Sequence, residues 1–173
     1  MKTKYIYLLF ILTIYFILIL SDETYPYVIR INSRLINGFD QEGSMAVLDI
    51  PYAKVERFIP PLPVDSLDDV RVCDHWGPQF MQNINAELSE SEMSEKNSCV
   101  LNDWTTDRKA KKSIIFLIHG DGFDSGKSAW DPGMALAKKD IVVVSLNHRL
   151  NILGFLDLFT VSEKYKYSEI TVC

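Results

Sequence analysis

The sequence is poor in cysteine and carries no clustered metal-binding pattern. Its 173 residues include three cysteines, Cys73, Cys99 and Cys173, and no Cys-x-x-Cys pair, so we expect no zinc site and no other metal. The odd count leaves at least one free thiol. A disulfide between Cys73 and Cys99 is conceivable, and two buried free thiols are an equal alternative.

The chain also lacks an excess of positive charge. It has 18 Lys and Arg against 23 Asp and Glu, a formal net charge of −5. An acidic chain without a basic stripe argues against nucleic acid and against an anionic membrane surface as partner. The hydrophobic content of 47% is enough to build a core, and the length fits one domain or a piece of a larger one.

Residues 1–20 are typical of a signal peptide. Lys2 and Lys4 precede an uncharged apolar run over residues 5–20, which is short for a helix that spans a bilayer. The sequence therefore predicts export, to a secreted, periplasmic or cell-surface location. An uncleaved anchor is the alternative, and only then would a stable membrane partner be expected.

Two continuous apolar runs, residues 113–118 and 141–146, are predicted strands of the kind that a sheet covers on both faces. Between them, Asp131 and Pro132 offer an N-cap and a first helical residue, which predicts a short helix over residues 134–139. The order of strand, loop, helix and strand favours a βαβ crossover in an α/β sheet.

The N-terminal part is rich in strand formers and then in proline. Residues 25–36 and 45–48 predict an antiparallel hairpin whose connecting loop is longer than two residues. Residues 51–63 contain four prolines, which exclude a helix or a central strand. An ordered irregular segment or a linker is therefore predicted there.

A glycine-rich turn, His119-Gly120-Asp121-Gly122-Phe123, directly follows the first predicted strand. A strand that delivers such a turn can present backbone N–H groups to a developing oxyanion. Phosphate binding is a minor alternative, because Gly126 stands one place too late for a dinucleotide fingerprint and a Walker loop would need a glycine at position 121.

The sequence contains no Gly-x-Ser-x-Gly nucleophile motif. A catalytic triad built from Ser125, His148 and a nearby carboxylate would have no nucleophile elbow to present the serine. We therefore do not expect these residues to form one.

Further blocks accompany the turn in a fixed order. They are Ile50-Pro51-Tyr52-Ala53, Arg57-Phe58-x-Pro60-Pro61-x-Pro63, Gly77-Pro78, Val100-Leu101-Asn102-x-Trp104 and Val143-Val144-Ser145-x-Asn147-x-Arg149-Leu150-x-x-x-Gly154-Phe155-Leu156. In order and spacing these blocks resemble the type-B carboxylesterases, the family that includes the cholinesterases, and secreted bacterial members in particular. The resemblance spans roughly residues 27–168.

The resemblance implies the N-terminal portion of an α/β-hydrolase fold, with an antiparallel hairpin leading into a mixed, mostly parallel sheet. It implies hydrolysis of a small-molecule carboxylic ester by a serine nucleophile, without a cofactor. It also implies that Asp121 and Gly122 are the oxyanion-hole positions, with Gly120 supporting the turn. Asp121 departs from the family glycine, and a carboxylate beside a forming oxyanion is electrostatically unfavourable.

Other departures concern buried positions. The resemblance implies that a family disulfide would pair the positions of Phe80 and Ser98, so both of its cysteines are absent. Asp49 replaces a glycine, and Asp103 replaces an apolar strand residue. A charge within a strand is the less tolerable of these changes.

The sequence therefore predicts that residues 21–173 are part of a type-B carboxylesterase domain, truncated before the catalytic serine, acid and histidine, and inactive alone. Strands of a larger sheet would then expose unpaired edges, so a stable monomer is not expected. Two alternatives are a non-catalytic binding module and one half of a split esterase with a separate C-terminal half.

Overall fold

The computed structural model describes residues 27–31, 34–64, 70–83, 92–130 and 132–168. Within these ranges the strands are β1 (Tyr27–Ile31), β2 (Arg34–Gln41), β3 (Ser44–Pro51), β4 (Ala53–Glu56), β5 (Ile59–Pro63), β6 (Val70–Val72), β7 (Val100–Thr105), β8 (Ser113–Ile118) and β9 (Ile141–Leu146). Two short helices are α1 (Met134–Ala137) and α2 (Asn151–Phe155). The predicted leader and Cys173 lie outside the described residues.

The described strands form one large mixed sheet and one small one. The large sheet has the order β1-β2-β3-β7-β9-β8, with β6 beside β2, and the small sheet pairs β4 with β5. Only β8 with β9 and β2 with β6 are parallel, so the prediction of a mostly parallel sheet is wrong for the described part of the chain. The other pairs are antiparallel, because hairpins and direct connections join most neighbouring strands.

The second hairpin of the large sheet turns at Glu42 and Gly43, between β2 and β3. Both turn residues have a positive φ, 52° and 81°, as a two-residue hairpin turn of matching twist requires. The predicted longer loop is therefore wrong. The polar residues Asp40 and Gln41 continue β2 instead of leaving it, and Gly38 lies inside that strand, where a Cβ would overlap Ala46.

The proline-rich segment is also more regular than predicted. Residues 51–63 include β4 and β5, which pair as an antiparallel ribbon with a register shift. Prolines at positions 60, 61 and 63 are compatible with β5 because this strand pairs with β4 only. Backbone positions on its other side need no N–H donor, so proline can occupy them. The segment is a small sheet and neither an irregular stretch nor a linker.

The main core lies on one face of the large sheet, around Trp104 of β7. Its indole is fully buried and packs with Ala46, Leu48, Ala137 and Val143. Ala137 belongs to α1, which therefore covers this face of the sheet. Burial of this aromatic surface is worth several kcal/mol and fixes α1 against β3, β7 and β9.

Helix α1 begins at Met134, as predicted, but ends at Ala137, two residues earlier than predicted. Its N-cap is Gly133 in place of the predicted Asp131, and no side chain caps the helix. A Cβ on Gly133 would overlap the Trp104 ring and Val143. Close approach to Trp104 therefore requires glycine at this N-cap position. Asp131 itself lies outside the described residues.

Strands β8 and β9 confirm the two predicted strand ranges residue for residue, and their parallel pairing confirms the βαβ crossover. The expectation that both faces are covered is wrong for β8. Its side chains on one face, Ile114, Phe116 and Ile118, are 58%, 63% and 69% exposed. The other face contacts the core cluster through Leu117.

The cysteines correct one proposed pairing. Cys73 is a buried free thiol and Cys99 is disulfide-bonded, so a Cys73–Cys99 bridge is excluded. Burial raises the pKa of the Cys73 thiol to about 11, which keeps it protonated and unreactive at neutral pH. Phe80 and Ser98, at the positions of the implied family disulfide, are both buried.

No helix among the described residues is long and apolar enough to cross a membrane.

We predict that residues 1–173 self-associate through the exposed face and edge of β8. The segment Ser113–Ile118 is uncharged, lacks proline and ends the described sheet, which makes it a template for pairing with other chains. Phe116→Lys should weaken association by about 10-fold or more, because a charge on an edge strand opposes pairing. Sedimentation velocity over a concentration series measures this effect. Phe159→Lys, at an exposed residue outside β8, is the control. Wild-type protein that stays monomeric throughout would contradict the prediction.

Candidate active site: the turn after strand β8

The glycine-rich turn, residues 119–123, leaves the carboxyl end of β8. Its neighbour β9 runs parallel to β8, with Ile118 opposite Leu146, so residues 147–150 leave the sheet at the same edge. Ligand sites of α/β sheets assemble at the carboxyl ends of parallel strands. The predicted placement of the turn is therefore confirmed.

The backbone of the turn is left-handed at three consecutive residues. The φ angles are 78° at Asp121, 64° at Gly122 and 68° at Phe123. Only glycine adopts such angles without a steric cost, so two of the three residues are strained. A Cβ on Gly120 or Gly122 would meet no atom within 4 Å, which leaves open space beside the turn.

No hydrogen bond between described residues uses the backbone N–H of Asp121 or Gly122. The turn is closed instead by Asp124, whose N–H donates to the Asp121 carbonyl at 3.2 Å. The two N–H groups implied as oxyanion donors are thus available to a ligand in the open space beside them. Two successive unused amides suit an anionic oxygen.

The ring of His119, the first residue of the turn, is held between two neighbours. It stacks on His148 with 4.5 Å between centroids and 10° between planes. On another side it meets Gly126, where a Cβ would overlap the ring. The Gln82 side chain fixes Gly126 from both ends, since its Nε2 donates to the Gly126 carbonyl at 2.9 Å and its Oε1 accepts from the Gly126 N–H at 2.7 Å.

The last residue of the turn, Phe123, contacts α2. Its carbonyl accepts a hydrogen bond of 2.7 Å from the N–H of Asn151, and its ring meets that of Phe155 at 5.2 Å in an edge-on arrangement. Both ends of the turn therefore contact the segment that follows β9.

A buried hydrogen-bond network lies behind the turn. Asn102 on β7 donates to the hydroxyls of Ser128 and Ser145 at 2.9 and 3.2 Å and accepts from the Asp49 N–H at 3.0 Å. Asn147 accepts from the Ser128 N–H at 2.7 Å and donates to a backbone carbonyl. Such satisfied networks rigidify the elements that they join, here β3, β7, β9 and the loop after the turn.

Arg149 joins the end of β9 to the small sheet. It is 1% exposed and donates to the carbonyls of Glu56 and Ile59 at 3.3 and 2.9 Å. Burial lowers the pKa of its guanidinium. The group nevertheless stays charged, because the ordinary pKa of arginine is very high. The Tyr52 hydroxyl donates to the Asn147 carbonyl at 2.7 Å, and burial raises the pKa of this phenol.

Asp49 and Asp121, which both stand where the family pattern has glycine, occupy different environments. Asp49 has a φ of 59° and pairs with Arg71, yet burial raises the pKa of its carboxyl more than Arg71 lowers it. Gly77 abuts the Asp49 carboxylate so closely that a Cβ there would overlap it. The side chain of Asp121 is exposed, and its Oδ2 accepts a hydrogen bond of 3.3 Å from the Ser125 hydroxyl.

The structure does not bring Ser125 and His148 together as part of a triad. The Ser125 hydroxyl donates to Asp121, whereas His148 Nδ1 lies 2.8 Å from the Arg149 carbonyl and its ring packs on His119. Sequence reasoning missed Gln82 and Ser128 as supports of the turn. The sequence shows that both residues are polar, but it does not show their partners, which lie 44 and 26 residues away along the chain.

The described residues contain no group of three or more His, Cys, Asp or Glu side chains that could hold a metal ion. A mixed sheet with a His-Gly-x-Gly-Phe turn at the carboxyl end of a parallel strand places the molecule in the α/β-hydrolase fold class. The family model of the carboxylesterases matches residues 27–164, and the chain belongs to that family.

Curated relatives include several esterases. Acetylcholinesterase-1 of Trittame loki is 34% identical over 131 residues, which cover 66% of this chain and 23% of that protein. Para-nitrobenzyl esterase of Bacillus subtilis is 28% identical over 141 residues, 75% of this chain and 29% of that protein. The chain thus spans about a quarter of the length of these relatives.

Solved structures confirm the α/β-hydrolase architecture. A carboxylesterase of Geobacillus stearothermophilus is 35% identical with a TM-score of 0.72, over 83% of this chain and 31% of that one. An esterase of Clostridium hathewayi that hydrolyses aliphatic aromatic polyesters is 29% identical with a TM-score of 0.76, over 85% and 32% of the two chains. The predicted family and fold class are therefore confirmed.

Proposed function

We propose that this chain supplies the oxyanion-binding part of a carboxylic ester hydrolase. The observation that carries the proposal is the turn at residues 119–123, whose Asp121 and Gly122 N–H groups are unused and adjoin open space at the carboxyl edge of the sheet. In acyl transfer, such donors stabilise the negative charge that develops on the carbonyl oxygen of a small-molecule ester.

Ester hydrolysis by this route also needs a nucleophile and a general base. Among the 173 residues there is no Gly-x-Ser-x-Gly motif, and the Ser125 hydroxyl donates to the Asp121 carboxylate and not to a histidine. We assign the nucleophile, acid and catalytic histidine to polypeptide outside these residues, either further along the same chain or in a separate C-terminal half. The proposed reaction uses no metal or cofactor.

A second candidate function is that of a non-catalytic binding module. The observation that favours it is Asp121, whose carboxylate stands beside the two candidate oxyanion donors. A negative side chain there opposes catalysis but not recognition of a neutral or cationic ligand.

For localisation, we propose export, because Lys2, Lys4 and the apolar run over residues 5–20 fit a signal peptide.

We predict that residues 1–173 alone do not hydrolyse activated acyl esters above background. Ester hydrolysis should appear in a chimera that continues after Ser168 with the downstream segment of the Geobacillus stearothermophilus carboxylesterase, and serine-directed phosphonylation should abolish it. Steady-state release of the alcohol measures both. An oxyanion hole without a nucleophile leaves only weak residual catalysis.

A Gly122→Val chimera tests the role of the turn. Valine cannot adopt a φ of 64° without strain, so kcat should fall by about 100-fold or more while the chimera stays folded.

Turnover by residues 1–173 alone that phosphonylation abolishes would place the nucleophile inside these residues. A folded but inactive wild-type chimera would favour the binding module.

A further inference from the structure

We propose that the segment of residues 147–155, which follows β9, positions the oxyanion turn by holding both of its ends, with His148 and Phe155 as positioning residues. The effect of this segment on catalysis rests on the proposed function. The contacts between the segment and the turn do not, since they lie within this chain. We call this segment the clamp.

The turn needs external support because its own backbone is unfavourable. Asp121 and Phe123 have positive φ angles without being glycine. Among the described residues, a single backbone–backbone hydrogen bond closes the turn, from the Asp124 N–H to the Asp121 carbonyl at 3.2 Å. Strained backbone persists only where its surroundings determine it. The surroundings that contact the turn include the clamp and the loop near Gly126.

The first hold is the stacked pair of imidazole rings. His119 and His148 are 7% and 4% exposed, and their planes are within 10° of parallel. The backbone of the next residue orients the His148 ring, since His148 Nδ1 lies 2.8 Å from the Arg149 carbonyl oxygen. Because β8 and β9 are paired in parallel up to Ile118 and Leu146, His148 leaves the sheet beside the turn at a fixed distance.

The second hold acts on Phe123 at the other end of the turn. The Asn151 N–H donates to the Phe123 carbonyl at 2.7 Å, and the Phe155 ring packs edge-on against the Phe123 ring. Asn151 is anchored in turn, because its Nδ2 donates to the Met81 carbonyl at 2.8 Å. Its φ of 51° is one that asparagine tolerates better than most residues.

The two holds leave the middle of the turn free and fix its ends. The N–H groups of Asp121 and Gly122 therefore keep their direction without making an internal hydrogen bond that a ligand would have to break. Such preorganisation is what gives oxyanion donors their catalytic value. The clamp residues need not touch the substrate to have this effect.

The test on the full chain is amide hydrogen exchange by NMR, read at Asp124 and Asn151, whose N–H groups close the turn and join it to the clamp. His148→Ala should accelerate exchange at both sites by about 10-fold, with the β7 and β9 amides unchanged. His148→Phe, which keeps a flat ring, should restore protection. Phe155→Ala should act at Asn151 even if His148→Ala fails to fold, and Ile152→Ala, an exposed neighbour on α2, is the matched control.

The same variants in the chimera separate positioning from general stability. His148→Ala and Phe155→Ala should lower kcat by about 10-fold with KM unchanged, because a misplaced donor weakens transition-state binding only. His148→Phe should recover kcat. Unchanged exchange in both alanine variants would overturn the clamp. Faster exchange with unchanged kcat would uphold the clamp and instead refute the oxyanion role of the turn.

Discussion

At pH 8, replacing Asp103 by asparagine is expected to stabilise the folded chain by about 3 kcal/mol, and at pH 4 the same replacement should change little. Asp103 lies within β7, opposite Val47 of β3 and Val144 of β9. Burial raises the pKa of its carboxyl from 3.8 to about 6, although the Trp104 N–H donates to it. Its Oδ1 is buried and accepts no hydrogen bond from any residue that the structure describes.

The sign of the effect follows from proton binding in the two states. An unfolded Asp103 ionises near 3.8, so at pH 5 the folded chain holds a proton that the unfolded chain has released. Protonated Asp103 therefore contributes stability that is complete below pH 3.8 and is lost as the pH rises through about 6. Above pH 7 the ionised group is a standing cost, which Asp103→Asn removes.

Urea denaturation between pH 4 and pH 8 measures this difference. Asp49, whose carboxyl also has a raised pKa, contributes to the wild-type slope, so only the difference between wild type and Asp103→Asn isolates Asp103. Asp157→Asn is the matched control, because Asp157 is exposed and asparagine keeps the acceptor for the Phe159 N–H. Parallel stability curves for wild type and Asp103→Asn would contradict the prediction.

Local sequence predicts those strands whose hydrophobic pattern agrees with their tertiary place. The apolar runs at Ser113–Ile118 and Ile141–Leu146 have no competing structure, and both are strands with the predicted bounds. Elsewhere a tertiary contact determines which residue is used. Helix α1 has Gly133 as its N-cap in place of the predicted Asp131, and a Cβ at position 133 would overlap Trp104, which lies far away in sequence. The prolines of β5 were misjudged because the sequence does not say that β5 pairs on one side only.

The candidate site was predictable as a motif but not as a supported structure. A glycine-rich turn after an apolar strand can be found by spacing alone, and in the fold it lies at the expected edge of the sheet. The residues that hold the turn could not be found in this way. His148 and Gln82 act through partners that only strand pairing brings near, 29 positions away for His148 and 44 for Gln82.

Asp121→Gly is expected to raise the kcat of the chimeric esterase by about 100-fold, equal to about 3 kcal/mol in the activation free energy. In residues 1–173 the Asp121 carboxylate is exposed and solvated, and the Ser125 hydroxyl donates to it. A completed active site would exclude this water, so the charge would act on the forming oxyanion at lower dielectric. Glycine removes the charge and also the strain of a φ of 78°.

Asp121→Asn separates the two causes, because asparagine keeps the shape of the side chain, tolerates a positive φ and carries no charge. If the charge dominates, the asparagine chimera should recover most of the gain, with kcat raised and KM little changed. If backbone strain dominates, only the glycine chimera should gain. Asp124→Asn, at an exposed carboxylate directly after the turn, controls for the general loss of one negative charge. Equal kcat values for folded wild-type, asparagine and glycine chimeras would show that Asp121 is harmless, and the carboxylate would then no longer favour the binding module over the esterase.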